Sequence, residues 1–131
     1  MATSTIAARN TTWDHVNVPC YFADITTGTP AAYTYVPCRG ELVGFKLTQY
    51  ATTATTNTVI TPNVNGTAVV GGAITVVATG DAAGDVTSVF LSPGTTINVN
   101  EGDYIGYTSD GGADDATVPA IVQATIRLRR N

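Results

Sequence analysis

The dipeptide Asn65-Gly66 stands between two β-branched, apolar runs, Val59-Ile60-Thr61-Pro62-Asn63-Val64 and Thr67-Ala68-Val69-Val70. A two-residue type I′ turn needs positive φ at both central positions, and Asn-Gly tolerates that better than almost any other pair. The segment is therefore expected to form a β-hairpin. Pro62 has no N–H to give to a ladder, so its strand is expected at a sheet edge or at a bulge.

The rest of the chain continues in the same manner. Turn signals fall at Thr26-Thr27-Gly28-Thr29-Pro30, Gly71-Gly72, Gly80 to Asp85, Ser92-Pro93-Gly94, Glu101-Gly102-Asp103 and Ser109 to Asp115. Their spacing of about 8–12 residues belongs to an all-β sandwich or barrel. Tyr33 and Tyr35 mark a short strand before Pro37, and Leu42, Gly44 or Phe45, Leu47 and Tyr50 mark a longer one of mixed burial. Ile97 and Val99 alternate with Thr96, Asn98 and Asn100, and the last strand runs from Val118 through Leu128. No segment sustains a 3.6-residue apolar period over the length of a helix. The fold expected is a single-domain, all-β β-sandwich of about eight to ten strands, a jelly roll, over residues 12–131. Residues 1–11 are polar and patternless and read as an extended N-terminal arm. An immunoglobulin-like sandwich is the alternative, but the Cys–Trp–Cys order is missing, because Trp13 precedes both Cys20 and Cys38.

Composition bears on function through charge. The chain has 24 Thr, 17 Ala, 15 Val and 13 Gly, and only 12% charged residues with a single Lys, Lys46. That is about half the usual charged share. A surface of Thr, Ser, Asn and Ala loses little on desolvation and is suited to being covered by a partner. A monomer with a Thr-rich exterior is the plainer alternative. The net charge of −4 argues against a nucleic-acid binder. No apolar run approaches the 18 or so residues of a membrane span, and no signal peptide is visible, so synthesis in the cytosol is expected.

Few residues have catalytic chemistry. His15 is the only histidine, with Asp14 next to it and therefore on the opposite face of a strand; a hydrogen-bonded structural role is the expectation. Cys20 and Cys38 occur in the near-repeats Val18-Pro19-Cys20 and Val36-Pro37-Cys38, and are expected as reduced thiols, with a disulfide between neighbouring strands as the alternative. Asp110, Asp114 and Asp115 lack the spacing of a calcium loop and read as a solvated turn. No catalytic residue, metal or cofactor is expected. Tyr33 and Tyr35 share a strand face, whereas Tyr104 and Tyr107 do not if their strand is regular. Together they would stack on sugars if exposed, but packing in the core or a subunit interface is the default for aromatic residues in a chain of this size. The arm, with Thr3, Ile6 and Arg9, and the tail, with Arg127, Arg129 and Arg130, are the candidate contact residues. Either the tail docks on an acidic neighbour, or it is a solvated edge that blocks sheet aggregation.

Four stretches carry a resemblance: Val64 through Val76, Ala83-Gly84-Asp85-Val86, Val99-Asn100-Glu101-Gly102-Asp103-Tyr104-Ile105, and Thr108-Ser109-Asp110-Gly111-Gly112. Across roughly residues 38–127 the chain resembles the capsid decoration, or cement, proteins of tailed bacteriophages. The Glu101-Gly102-Asp103 turn also looks like the closing strands of trimeric tumour-necrosis-factor-like jelly rolls. The resemblance implies a homotrimer on the outer surface of the virion head, made in the host cytoplasm. It would clamp adjacent copies of the major capsid protein; from the charge and the missing apolar span, neither nucleic acid nor membrane is an expected partner. A receptor- or carbohydrate-binding module of a tail fibre or baseplate is the alternative, and a small hydrolase the third possibility.

Overall fold

Ten strands account for most of what the structure, a computed structural model, describes: residues 15–26, 31–51, 57–77, 82–92, 94–111 and 117–128. They are β1 (His15–Phe22), β2 (Ala31–Tyr35), β3 (Gly40–Gln49), β4 (Thr58–Val64), β5 (Thr67–Ala68), β6 (Ile74–Val76), β7 (Val86–Phe90), β8 (Ile97–Val99), β9 (Tyr104–Ser109) and β10 (Ala120–Leu128). The candidate arm residues Thr3, Ile6 and Arg9, and the tail residues Arg129 and Arg130, lie outside the described residues.

Every pairing is antiparallel. One sheet has the order β1-β10-β3-β7 with β8 also on β3; the other has β2-β9-β4-β5 with β6 also on β4. The first strand thus pairs with the last and the second with the ninth, while the third and fourth take β7/β8 and β5/β6. Such nested pairing is a long hairpin rolled into two sheets, which is the jelly roll. The chain is all-β, as its turn spacing and β-branched composition predict.

Local chemistry explains the strand details. Asn65 and Gly66 have φ of 50° and 90°, the two positive values of a type I′ turn, and join β4 to β5. Pro62 is a correction: β4 lies inside its sheet, between β9 and β5/β6. The Pro62 carbonyl accepts the Val69 N–H at 2.9 Å. Its nitrogen faces the same neighbour, where β5 has ended at Ala68 and β6 has not begun before Ile74. The missing donor coincides with a gap in the partner strand rather than with an edge or a bulge.

The ambiguity between Gly44 and Phe45 also has a cause. Pairing of β10 with β3 steps from Thr125↔Gly44 to Ile126↔Leu42, so Val43 is an extra, bulged residue. The bulge changes the phase of β3. Leu42 and then Phe45 and Leu47 point inward, and Lys46 remains exposed. Without it, Lys46 would share the face of Leu42. The Val43 carbonyl accepts the Leu91 N–H, at the break between β7 and β8.

The core lies between the sheets and holds Phe22, Phe45 and Tyr107 in edge-to-face contact, with centroids 6.4 Å (Phe22–Tyr107) and 5.9 Å (Phe45–Tyr107) apart. Leu42, Leu47, Ile60, Ile74, Ile105 and Ile126 are fully buried around them. Each such side chain contributes about 1.5–3 kcal/mol of transfer free energy. The solvated-edge reading of the Arg tail fails at Arg127, because β10 sits between β1 and β3 and its ladder groups are paired on both sides.

Candidate binding surface

The two sheets turn different chemistry outward. On the β2-β9-β4 face, alternation points Tyr33 and Tyr35 to solvent at 67% and 76% exposure. Tyr35 stands opposite Tyr104 on β9, and Tyr33 stands opposite Gly106. Since Gly106 has no side chain, the Tyr33 ring lies over it and reaches Tyr104, with centroids 5.9 Å apart at 71°. A Cβ on Gly106 would lie 3.0 Å from Tyr33 Cδ1 and 2.8 Å from Asn63 Oδ1. Tyr104 is fixed through its backbone. Its N–H donates to Asn65 Oδ1 and its carbonyl accepts the Asn65 N–H, both at 3.0 Å. The hairpin turn therefore holds an aromatic platform in place. Tyr33, Thr34, Tyr35 and Tyr104 line a groove of about 350 Å³, and none of the four bears a charge.

The opposite face repeats the device with a different outcome. Phe90 on β7 pairs with Gly44 on β3 and remains 70% exposed. A Cβ on Gly44 would lie 3.1 Å from Phe90 Cδ1, so the ring covers the glycine. Phe90, Val43, Leu91 and Thr96 border a second groove of about 380 Å³ that also contains Glu41 and Arg127. These two are cross-strand partners, and Arg127 Nη2 forms an ion pair with Glu41 Oε1. This groove is apolar with a charged rim.

The remaining candidates separate as follows. Tyr107 is in the core and takes no part in the tyrosine platform; burial pushes its phenol far above the ordinary tyrosine range. Cys20 is buried on β1, Cys38 is half-buried, and the thiols are unbonded. Burial raises the pKa of each, with the Glu101 carboxylate adding to the effect at Cys38. His15 is exposed at the start of β1, opposite Arg127. Asp110 accepts the Val59 N–H at 3.0 Å; Asp14, Asp114 and Asp115 lie outside the described residues. Among the described residues, no group of three or more His, Cys, Asp or Glu is placed to hold a metal ion.

The sequence groups Tyr104 and Tyr107 with Tyr33 and Tyr35; the fold brings Tyr104 to the pair and leaves Tyr107 in the core, while Phe90 had no place among the sequence candidates. The available signal was a glycine inside each of two strands, Gly44 and Gly106. An interior strand glycine often marks the close approach of another group.

No family model and no curated protein matches the chain. Among solved structures it is similar to a chain of Desmodium yellow mottle tymovirus, with 12% identity, 88% of this chain and 87% of that chain covered, and a TM-score of 0.43. It is also similar to a family 35 carbohydrate-binding module from Clostridium thermocellum, with 14% identity, 88% and 99% covered, and a TM-score of 0.48.

Proposed function

We propose that this protein is a structural component of a viral shell, a decoration protein that binds the outside of a phage head. It would work as a homotrimer that clamps neighbouring subunits of the major capsid protein. On this reading it performs no chemistry, and its work is the burial of uncharged surface. The observation that supports it is the outward face of the β3-β7 pair, where Phe90 and Val86 are 70% and 56% exposed in a chain with one lysine. An exposed aromatic seated on a neighbouring strand, with a charged pair at the rim, has the make-up of an interface anchor. Repetition of such a contact over a symmetric shell multiplies a weak interaction through avidity.

Counting this chain in purified virions against the major capsid protein, by calibrated gel densitometry, tests the proposal. Copies in the hundreds are expected. A handful per particle would point instead to a tail fibre or baseplate, and none would end the virion reading.

A further inference from the structure

We infer that the tyrosine groove on the β2-β9 face is a binding site for a neutral carbohydrate. A sugar ring presents a C–H face, which packs on aromatic rings, and a rim of hydroxyls, which need both donors and acceptors. The groove supplies both. Three of its four lining residues are Tyr33, Tyr35 and Tyr104, and a tyrosine carries both an apolar ring face and a hydroxyl that donates and accepts. The Asn63 amide lies beside Tyr33, close to where a Cβ on Gly106 would be.

The edge of the sheet adds backbone groups. The Val36 N–H donates to the Asp103 carbonyl and its own carbonyl accepts the Gly102 N–H, so the polar groups of Val36 point toward the β9 side. Along an antiparallel strand this direction alternates. The N–H and C=O of Tyr33 and Tyr35 therefore point to the other side of β2, which has no ladder partner among the described residues. Two donors and two acceptors thus stand beside the rings.

Charge and rigidity narrow the ligand class. The lining has no ionised group to pair with an acidic or basic ligand. Tyr33 is held by its seat on Gly106 and its contact with Tyr104, which is itself tied to Asn65. Two rings already in mutual contact lose less side-chain freedom on binding than isolated rings would. The groove volume of about 350 Å³ falls at the lower end of the small-ligand range of about 300–1,000 Å³, suited to a short stretch of sugar rings. A peptide added along the β2 edge would use the same backbone groups but would also want pockets for alternate side chains. The groove offers flat rings instead. This site is separate from the Phe90 face, so it stands or falls independently of the shell role.

Native affinity electrophoresis of the full chain tests the assignment, with hydroxyethylcellulose, laminarin, galactomannan and yeast mannan in the gel and alginate as the anionic control. Retardation by at least one neutral polysaccharide is expected. Tyr35→Ala, at a mostly solvated position, should weaken it by roughly tenfold, and Phe90→Ala on the other sheet should leave it unchanged. Backbone amide shifts of Tyr33, Tyr35 and Gly106 on titration with a hexasaccharide of the retarding polymer would place the ligand on the groove. The assignment is overturned by no retardation in any neutral gel, by equal retardation of Tyr35→Ala, or by preference for alginate. Shifts of the same amides by a proline decapeptide, with none by the sugars, would make the groove a peptide site and overturn it equally.

Discussion

The ring of Tyr33 rests on Gly106 of the neighbouring strand, at a spot where a Cβ would come within 3.0 Å of the ring and 2.8 Å of the Asn63 amide oxygen. The backbone at Gly106 does not demand glycine by its φ; the close approach of two side chains does. Both neighbours are side chains on the outer face, so they are able to move. Gly106→Ala should therefore fold, at a cost of about 1–2 kcal/mol, with Tyr33 pushed off its seat. Urea unfolding reads the cost, and the Gly106 Hα resonance, shifted by the ring in the wild type, reports the seat. An unchanged Tyr33 environment in the variant would mean that the ring does not rest there.

Tyr107 is fully buried, and its hydroxyl has no hydrogen-bond partner among the described residues. A buried polar atom without a partner costs free energy, and removing it can stabilise. Tyr107→Phe should raise stability by about 1 kcal/mol, measured as an increase in the urea midpoint. A fall of similar size would reveal a partner for the hydroxyl, such as a buried water.

The same residue sets a pH dependence. Burial raises the phenol pKa of Tyr107 and the thiol pKa of Cys20, so the folded chain holds these protons more tightly than the unfolded chain. Below the unfolded values, about 8.5 for Cys and 10 for Tyr, both states are protonated and the contribution is fully present. As pH rises above those values the unfolded state releases protons first and stability falls. Unfolding midpoints should be flat near neutrality and decline above about pH 9. Tyr107→Phe should remove the part of the decline that begins near pH 10.

Much of this molecule was legible because the information is local. Asn65-Gly66 specifies its turn through the backbone freedom of two residues, and the jelly roll follows from turn spacing and β-branched content. What escaped was set by the pairing of distant strands. Pro62 read as an edge residue, since nothing nearby reveals that its neighbour breaks between Ala68 and Ile74. Gly44 and Phe45 could not be assigned to a face before the bulge at Val43 was known. Tyr104 joins Tyr33 only through the register of β2 on β9. Arg127 looked like part of a sheet edge until β3 was placed beside it.

Asp24 fastens the end of β1 to the approach to β10. Its Oδ1 accepts the Thr26 N–H at 2.9 Å, the Thr26 hydroxyl at 2.7 Å and the Val118 N–H at 3.1 Å. The Ile25 N–H in turn donates to the Val118 carbonyl at 3.0 Å. Asp24→Ala leaves these half-buried donors without their acceptor and should cost about 2–3 kcal/mol, whereas Asp24→Asn keeps one oxygen and should recover a good part. Urea unfolding of the two variants separates the outcomes. Equal losses would mean that the charge, and not the oxygen's position, is what matters.

Arg127 and Glu41 face each other across β10 and β3, with side-chain exposures of 55% and 20%. Solvent screens an ion pair in such a setting, so its coupling in a double-mutant cycle should be only about 0.5 kcal/mol and should shrink in high salt. The pair contributes little to the fold, yet it stands at the rim of the Phe90 groove. If that face meets a capsid subunit, Arg127 is positioned to exchange Glu41 for an acidic neighbour or to hold the rim in register. Arg127→Ala should then lower shell occupancy at physiological salt several-fold more than its small loss of stability explains. Phe90→Ala should lower occupancy further, with little change in the unfolding midpoint, because its ring is mostly in solvent in the free protein. Occupancy measured on virions assembled with each variant decides between the roles. Wild-type occupancy for both would remove this face from the contact and leave the anchoring to other parts of the chain.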